Sequence, residues 1–403
     1  MVIKIENLRQ AIRDEESHLI ADITSDGIKQ AVTFTRYSTD PSLAECRPCG
    51  EPYLVMMLMH AMKHGEDLAI DGEVDPVLLH ELQGTVQQVL RLQFKELQQI
   101  TIHASSRKHH EPARRAEHVA TGFSGGVDSM QLLDRGIFRR DIPKDLCVTL
   151  LMHHDVGSVA QRKQHEVNKV HARTWADKLG ISFAGASCDM SEFFTGFPFI
   201  QSHTMRTVAA SLSLSPLFRR YLFASGTEIQ VGLPGICSRI IDRANPVLLP
   251  LLSTRHNEFR QFGGEFTRLD KILQVLMNDT LLPGINLCAR MDHDNSMKLN
   301  CGRCFKCFPF LLVAEATGKL PYLSGNFDID SFQRFKARSY FNFFYDAIGP
   351  KKQENNRQVA EFRRNIPGIS PAWLDLLMHL VPPPRSKPSP ATESFYRNNG
   401  ELS

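Results

Sequence analysis

No stretch of this chain is both long and apolar enough to cross a bilayer as a helix, which excludes a helical membrane protein. The opening residues, Met1-Val2-Ile3-Lys4-Ile5-Glu6-Asn7, lack the apolar core of a secretory signal. A cytoplasmic protein without membrane contact is the expectation. Neither sign of charge dominates: 47 Lys and Arg against 44 Asp and Glu leave +3. An extended nucleic-acid face calls for a strongly basic surface, so nucleic acid is not an expected partner. One Gly-rich stretch lacks the Lys that would follow it in the G-x-x-x-x-G-K-[ST] phosphate loop, which rules out that nucleotide-binding class. What remains is an ordinary globular composition, 42% hydrophobic and 23% charged over 403 residues, enough for two or three domains. Nine cysteines in such a chain point to metal or catalysis more than to disulfides.

The organising stretch is Thr121-Gly122-Phe123-Ser124-Gly125-Gly126-Val127-Asp128-Ser129. It follows the short apolar run His118-Val119-Ala120 and precedes Met130-Gln131-Leu132-Leu133, which reads as a helix. Strand, Gly-rich turn and helix start make an anion site, because turn N–H groups converge beside the positive end of the helix dipole. Gly125 and Gly126 let the backbone approach a phosphate without a Cβ in the way. Ser124 and Ser129 add hydroxyl donors. Asp128 is placed to hold Mg²⁺ or to orient a substrate.

Residues 1–115 read as an α+β accessory domain. Asp26-Gly27 between two partly alternating runs signals a hairpin. Leu54 to Met62 is a helix apolar on most faces and therefore buried, its four methionines filling core. Ile70-Asp71-Gly72 reads as a turn, Asp75-Pro76 opens a helix running through Leu92, and Gln99 to Ala104 is a strand. Ser105 to Ala116 reads as an exposed linker. Cys46-x-x-Cys49 has no second pair near it, so redox work, half a metal site and two idle loop cysteines stay open together.

From residue 116 to 285 the pattern alternates strand and helix, the mark of a doubly wound, mostly parallel α/β sheet. Leu146 to Met152 is continuously apolar, as expected for a strand covered on both faces. Further strands fall at 181–186 and 221–224, with helices at 159–179 and 204–214 between them. Pro246 to Leu252 reads as a short extended segment, Ser253-Thr254 as the cap of a helix through Phe262, and Thr267 as the start of another. Ligands of such sheets bind at the carboxyl ends of the strands. That rule makes the Ser124–Ser129 loop, His153 to Asp155, Cys188-Asp189 and Ser225-Gly226-Thr227 the candidates. The backbone of Met152 and His153 is placed to contact adenine, and Asp155 to bind ribose or substrate; a solvated strand end is the plain alternative. His203 is a candidate general acid or base and Arg206 a candidate anion ligand. Helix capping by Ser202 or Thr204 beside an exposed Arg accounts for those letters equally well.

Cys288, Cys301, Cys304 and Cys307 follow the spacing C-x12-C-x2-C-x2-C. Four thiolates close a tetrahedral Zn²⁺ shell without water, which is the usual form of a structural site. An iron–sulfur cluster uses the same four ligands, and His293 could stand in for one Cys. Residues 286–325 form this knuckle, and 326–403 a helical C-terminal extension. In the extension Phe327 to Ile348 is aromatic-rich, Pro371 opens a last helix, and the Pro-rich run from Pro382 is disordered.

The letters S-G-G-V-D-S at 124–129 resemble the PP-loop of the ATP pyrophosphatases, which cleave ATP between its α- and β-phosphates and adenylate a carbonyl-type oxygen. Together with the four-cysteine spacing, the chain from about 118 to 315 resembles 7-cyano-7-deazaguanine synthase. The resemblance implies ATP, Mg²⁺ and Zn²⁺ as cofactors. It implies an adenylated carboxylate or amide, with ammonia or an amine displacing AMP. It implies catalytic roles for Ser124, Asp128 and Ser129, nucleotide contacts from Ser124 to Ser129, and Arg268 and Lys271 over the phosphates. Two rivals stand beside this ligase: a PP-loop RNA-modifying thiolase or lysidine-type ligase, and a nucleotide-binding partner subunit of a protein-modifying system. A partner protein docking on the N-terminal domain, or a homo-oligomer, is compatible with all of them.

Overall fold

A computed structural model describes residues 1–13, 16–25, 27–45, 48–106, 117–157, 162–288, 298–348, 361–362 and 365–366. It divides into two compact units. One comprises Met1–Ser124 and Arg140–Phe262; the other comprises Gly125–Arg139 and Gly263–Ser403.

The first unit opens with an antiparallel meander, β1 (Val2–Arg13), β2 (Glu16–Ser25) and β3 (Ile28–Ser38). The expected hairpin is present: Ser25 pairs with Ile28, and Gly27 takes the left-handed conformation at φ 75°. α1 (Glu51–His64) is the expected buried helix, with Tyr53 to Met59, Ala61 and Met62 all inaccessible to solvent. It ends where Gly65 turns left-handed at φ 68° and donates its N–H to Ala61. The turn expected at Ile70 is instead the middle of β4 (Asp67–Val74), which pairs with β1 on one side and β5 on the other. Leu68, Ile70 and Val74 bury there, and the local break at Asp71-Gly72 is absorbed as an irregular register between Ala69 and Glu73. The helix expected through Leu92 is two, α2 (Pro76–Gln83) and α3 (Thr85–Gln93), broken at Gly84 (φ −129°, ψ −95°). Asp75 caps α2 by accepting from the N–H groups of Val77 and Leu78 at 3.0 and 3.2 Å. β5 (Ile102–Ser106) follows, and most of the expected linker lies outside the described residues.

The alternating half then begins: β6 (His118–Gly122), α4 (Val127–Leu133, which belongs to the second unit), β7 (Leu150–Asp155), α5 (Arg162–Leu179), β8 (Ser182–Ser187), α6 (Phe199–Ser213) and β9 (Phe218–Ala224). A short α7 (Ile229–Gly232) precedes α8 (Asn245–Leu251) and β10 (Glu258–Phe262). These last two correct the sequence reading. Pro246 sits in the first turn of α8, where its missing N–H costs nothing, and Leu248, Leu249 and Leu252 bury together. Ser253-Thr254 caps no helix: Thr254 and Asn257 close a turn through paired hydrogen bonds. That turn feeds β10, which runs parallel to β9. In the second unit α9 (Arg268–Leu276), α10 (Cys307–Ala316) and α11 (Ile329–Ile348) follow. The helix at Pro371 and the disordered run after Pro382 lie outside the described residues.

All ten strands form one sheet in the order β10-β9-β6-β7-β8-β3-β2-β1-β4-β5. Six of its nine pairings are parallel. From β10 to β8 the order is that of a doubly wound sheet, with the switch point between β6 and β9. Residues 1–115, expected as a domain apart, share this sheet: β3 pairs antiparallel with β8 from Thr35↔Ser187 to Ser38↔Ala184. The two halves read differently because they are covered differently. β2 and β3 alternate buried with half-buried positions, whereas β6 and β7 bury successive residues, as parallel strands do.

The junction of the two halves depends on a small residue. Tyr37 pairs with Gly185, and a Cβ at 185 would overlap the Tyr37 ring and stand 2.6 Å from the His153 carbonyl oxygen. Gly185→Ala is therefore expected to lower the stability of the chain by about 1–3 kcal/mol, the usual range for overpacking. The urea midpoint checks this, and an unchanged midpoint would show that the junction can yield.

Candidate functional site

The Gly-rich loop is built as its letters demand. Gly125 lies left-handed at φ 73°, and its carbonyl accepts the Asn286 N–H at 2.8 Å. Gly126 is the extended residue before α4. Ser124 is exposed, while Ser129 is buried and donates its hydroxyl to the Gly126 carbonyl at 3.0 Å. Ser129 thus rigidifies the turn rather than offering its proton outward.

Asp128 is the centre of the second unit's charge. Arg268 donates to both of its carboxylate oxygens at 3.1 and 3.0 Å, and Lys271 to one of them at 3.3 Å. The two cations sit one turn apart at the start of α9, which Thr267 and Asp270 fix with a reciprocal capping box. Burial works against the charge of Asp128, but Arg268 and Lys271 outweigh it and hold the carboxyl below its usual range. Lys271 is only 2% exposed. Burial lowers its pKa, Asp128 works to restore it, and Arg268 adds to the lowering. Within the trio two cations face one anion, with Glu265 a further negative charge acting on Lys271, beside a loop rich in backbone N–H groups, an arrangement suited to an anion. Both carboxylate oxygens of Asp128 accept from these two cations, so a metal held there would share oxygens that already carry ion pairs.

The other expected residues lie in the first unit, at the carboxyl ends of its parallel strands. Met152 and His153 are buried in β7. The Tyr37 hydroxyl meets His153 Nδ1 at 2.9 Å, which brings a side chain of the N-terminal meander to the end of β7. Burial, reinforced by His165, pushes His153 down to about 4. His154 is pushed down to about 3 by burial and then by His153, and its Nε2 faces the Ser211 hydroxyl at 3.2 Å. Asp155 pairs with His165 Nε2 at 2.9 Å. Arg206 is buried, not exposed. Its guanidinium donates to Ser202 Oγ at 2.9 Å and to the Val156 carbonyl at 3.0 Å, and lies 4.4 Å from the Phe194 ring. It holds the segment after β7 in place. His203 stacks on Phe199, its Nδ1 lies 3.2 Å from the Phe199 carbonyl, and burial lowers its pKa.

After β9, Ser225 is buried and Gly226 exposed; Thr227 donates to Asp242 at 2.9 Å, and Gln261 donates to Ser225. Asp242 Oδ1 and Gln261 Oε1 are buried with no hydrogen-bond partner among the described residues. The sequence reading missed Tyr37, His165, Asp242 and Gln261. None belongs to a motif, and only folding brings them to these strand ends.

In the second unit the sulfurs of Cys288, Cys301, Cys304 and Cys307 all lie within 4.8 Å of one another, close enough to hold one metal ion such as zinc. Three are buried and Cys288 half-buried. The thiols compete for protons: Cys288 holds Cys301 down to about 6, while its neighbours push Cys307 up. A metal relieves that competition by replacing the protons. Gly302 turns left-handed at φ 70°, where a Cβ would strike the Asp328 carbonyl. Buried Asn300 ties the two arms of the cluster together. Its Oδ1 accepts from Leu287 N–H at 2.7 Å and its Nδ2 donates to the Ile285 carbonyl at 2.8 Å. Cys46 and His293 lie outside the described residues.

No protein-family model matches the chain, and no curated protein sequence matches it significantly. No helix among the described residues is long and apolar enough to cross a membrane.

Proposed function

We propose that the chain is an ATP-dependent ligase that adenylates a substrate carboxylate or amide and passes it to ammonia or an amine. The observation that carries this is the net-positive trio of Asp128, Arg268 and Lys271 beside a Gly-rich turn. A carboxylate oxygen attacks the α-phosphorus of ATP. The new O–P bond forms as the bond to the bridging oxygen breaks, and pyrophosphate leaves with that electron pair. The amine nitrogen then attacks the activated carbonyl, AMP leaves, and the nitrogen loses its extra proton. In the first step negative charge grows on the departing pyrophosphate. Arg268, Lys271 and the N–H groups of Gly125 to Ser129 are the groups suited to meet it, already ordered before the reaction begins. Ser124 is exposed on the loop, where its hydroxyl is suited to a phosphate.

The test is the product of ATP incubated with candidate carboxylates and an ammonium salt. AMP and pyrophosphate in equal amounts are expected, with the rate falling about 10²-fold or more in Ser124→Ala, the size of effect seen when one preorganised donor is removed. ADP and phosphate as products overturn the proposal. Turnover that appears only when a second protein is added supports the partner-subunit alternative instead.

A further inference from the structure

Asp128 is set between two cations, which gives it a task besides any metal binding. Lys271 is almost wholly buried, and so close to Arg268 that the two cations repel. A buried ammonium without a counter-charge loses its proton or swings toward water. Arg268 is a third exposed, with a long stem that is mobile unless tethered. One carboxylate answers both needs, with Arg268 gripping both oxygens and Lys271 one.

We infer that Asp128 is a positioning residue: it keeps Lys271 charged and Arg268 aimed, so that the two cations and the adjoining loop receive a pyrophosphate-type anion without a metal bridging through Asp128. The inference rests on the adenylation proposed above for the same loop.

Its consequence reverses simple electrostatics. Removing a negative charge from an anion site ordinarily strengthens anion binding, because a repulsion disappears. Here the carboxylate organises more positive charge than it cancels, so its loss weakens binding. If Asp128 were instead a metal ligand, its loss would weaken only the Mg²⁺-dependent part of binding and would leave metal-free binding equal or tighter.

The experiment titrates inorganic pyrophosphate into the full-length protein in EDTA, and again with Mg²⁺. Wild type is compared with the near-isosteric Asp128→Asn, with Lys271→Met and with the double variant. In EDTA, Asp128→Asn is expected to bind at least tenfold more weakly than wild type, and the double variant no more weakly than Lys271→Met alone. Asp128→Asn binding as tightly as wild type in EDTA, or more tightly, overturns the inference. Thermal unfolding of the same four proteins gives a readout that needs no ligand. The Asp128→Asn and Lys271→Met shifts are expected to be strongly non-additive; additive shifts overturn the clamp. Wild type that binds no pyrophosphate under either condition overturns the adenylation proposal, and the unfolding cycle then still decides whether Asp128 anchors the two cations.

Discussion

Stripping the metal from the four-cysteine cluster is expected to unfold the residues around it and to release one equivalent of zinc per chain. The expectation follows from how the described residues of the cluster are joined. The Cys288 arm and the Cys301–Cys307 arm approach through Asn300 and through the bridge between Asn300 and Phe327, not through a regular sheet. Cys307 begins α10, whose Phe308, Phe310 and Leu311 are core, so a metal held by Cys307 would also anchor a buried helix. Structural zinc sites of this kind contribute on the order of 10 kcal/mol to folding at neutral pH. Elemental analysis of the purified protein, followed by circular dichroism and limited proteolysis after chelation, checks this. Cys304→Ser should reproduce the loss, and Asn300→Ala should weaken metal affinity about 10- to 100-fold by loosening the groups that aim the ligands. Iron with visible absorbance in place of colourless zinc would turn the same ligand set toward redox or sulfur-transfer chemistry, and with it toward the RNA-modifying alternative.

How much of this was legible depends on whether the signal was local. Asp26-Gly27 fixed a hairpin because the turn itself demands those residues. Cys-x-x-Cys-x-x-Cys placed three sulfurs together because the spacing alone nearly closes the shell. The apolar run Leu146 to Met152 announced a strand covered on both faces, which begins only at Leu150 and runs on to Asp155. The pairing of β3 with β8 had no local signal, since an alternating strand says which face is buried but not which strand lies beside it. Pro246 to Leu252 misled because a short apolar run serves helix and strand alike. The charge clamp was half legible. Arg268 and Lys271 are visible as cations one helical turn apart, but their partner lies about 140 positions earlier in the chain. Asp128 read alone looks like a metal ligand, and the structure pairs it with two cations. Arg206 and Ser129 carry the chemistry of a ligand, and each also makes hydrogen bonds within the fold that the sequence does not show.

The chain is expected to lose stability steeply as the pH falls from about 6.5 to 4, because two imidazoles, buried His153 and half-buried His154, resist protonation. His153 is held down to about 4 and His154 to about 3, against an unfolded value near 6.5. In both, the neutral form is the one folding favours. Between the two pKa values of each group the unfolded chain binds a proton that the folded chain refuses, so stability is full above 6.5 and drains away as acid is added. Each such proton contributes a slope of about 1.4 kcal/mol per pH unit, and over the window the pair amounts to several kcal/mol, a large part of a typical folding free energy. The check is the urea unfolding free energy measured at steps between pH 7 and 4.5, where ordinary carboxylates stay mostly ionised. His154→Gln, which keeps a polar side chain near Ser211 without a titrating proton, should flatten the slope by about one proton. Equal slopes for variant and wild type would mean that His154 is not buried neutral. A flattened slope would carry a functional consequence too. An imidazole uncharged throughout the neutral range cannot serve as a phosphate-binding cation.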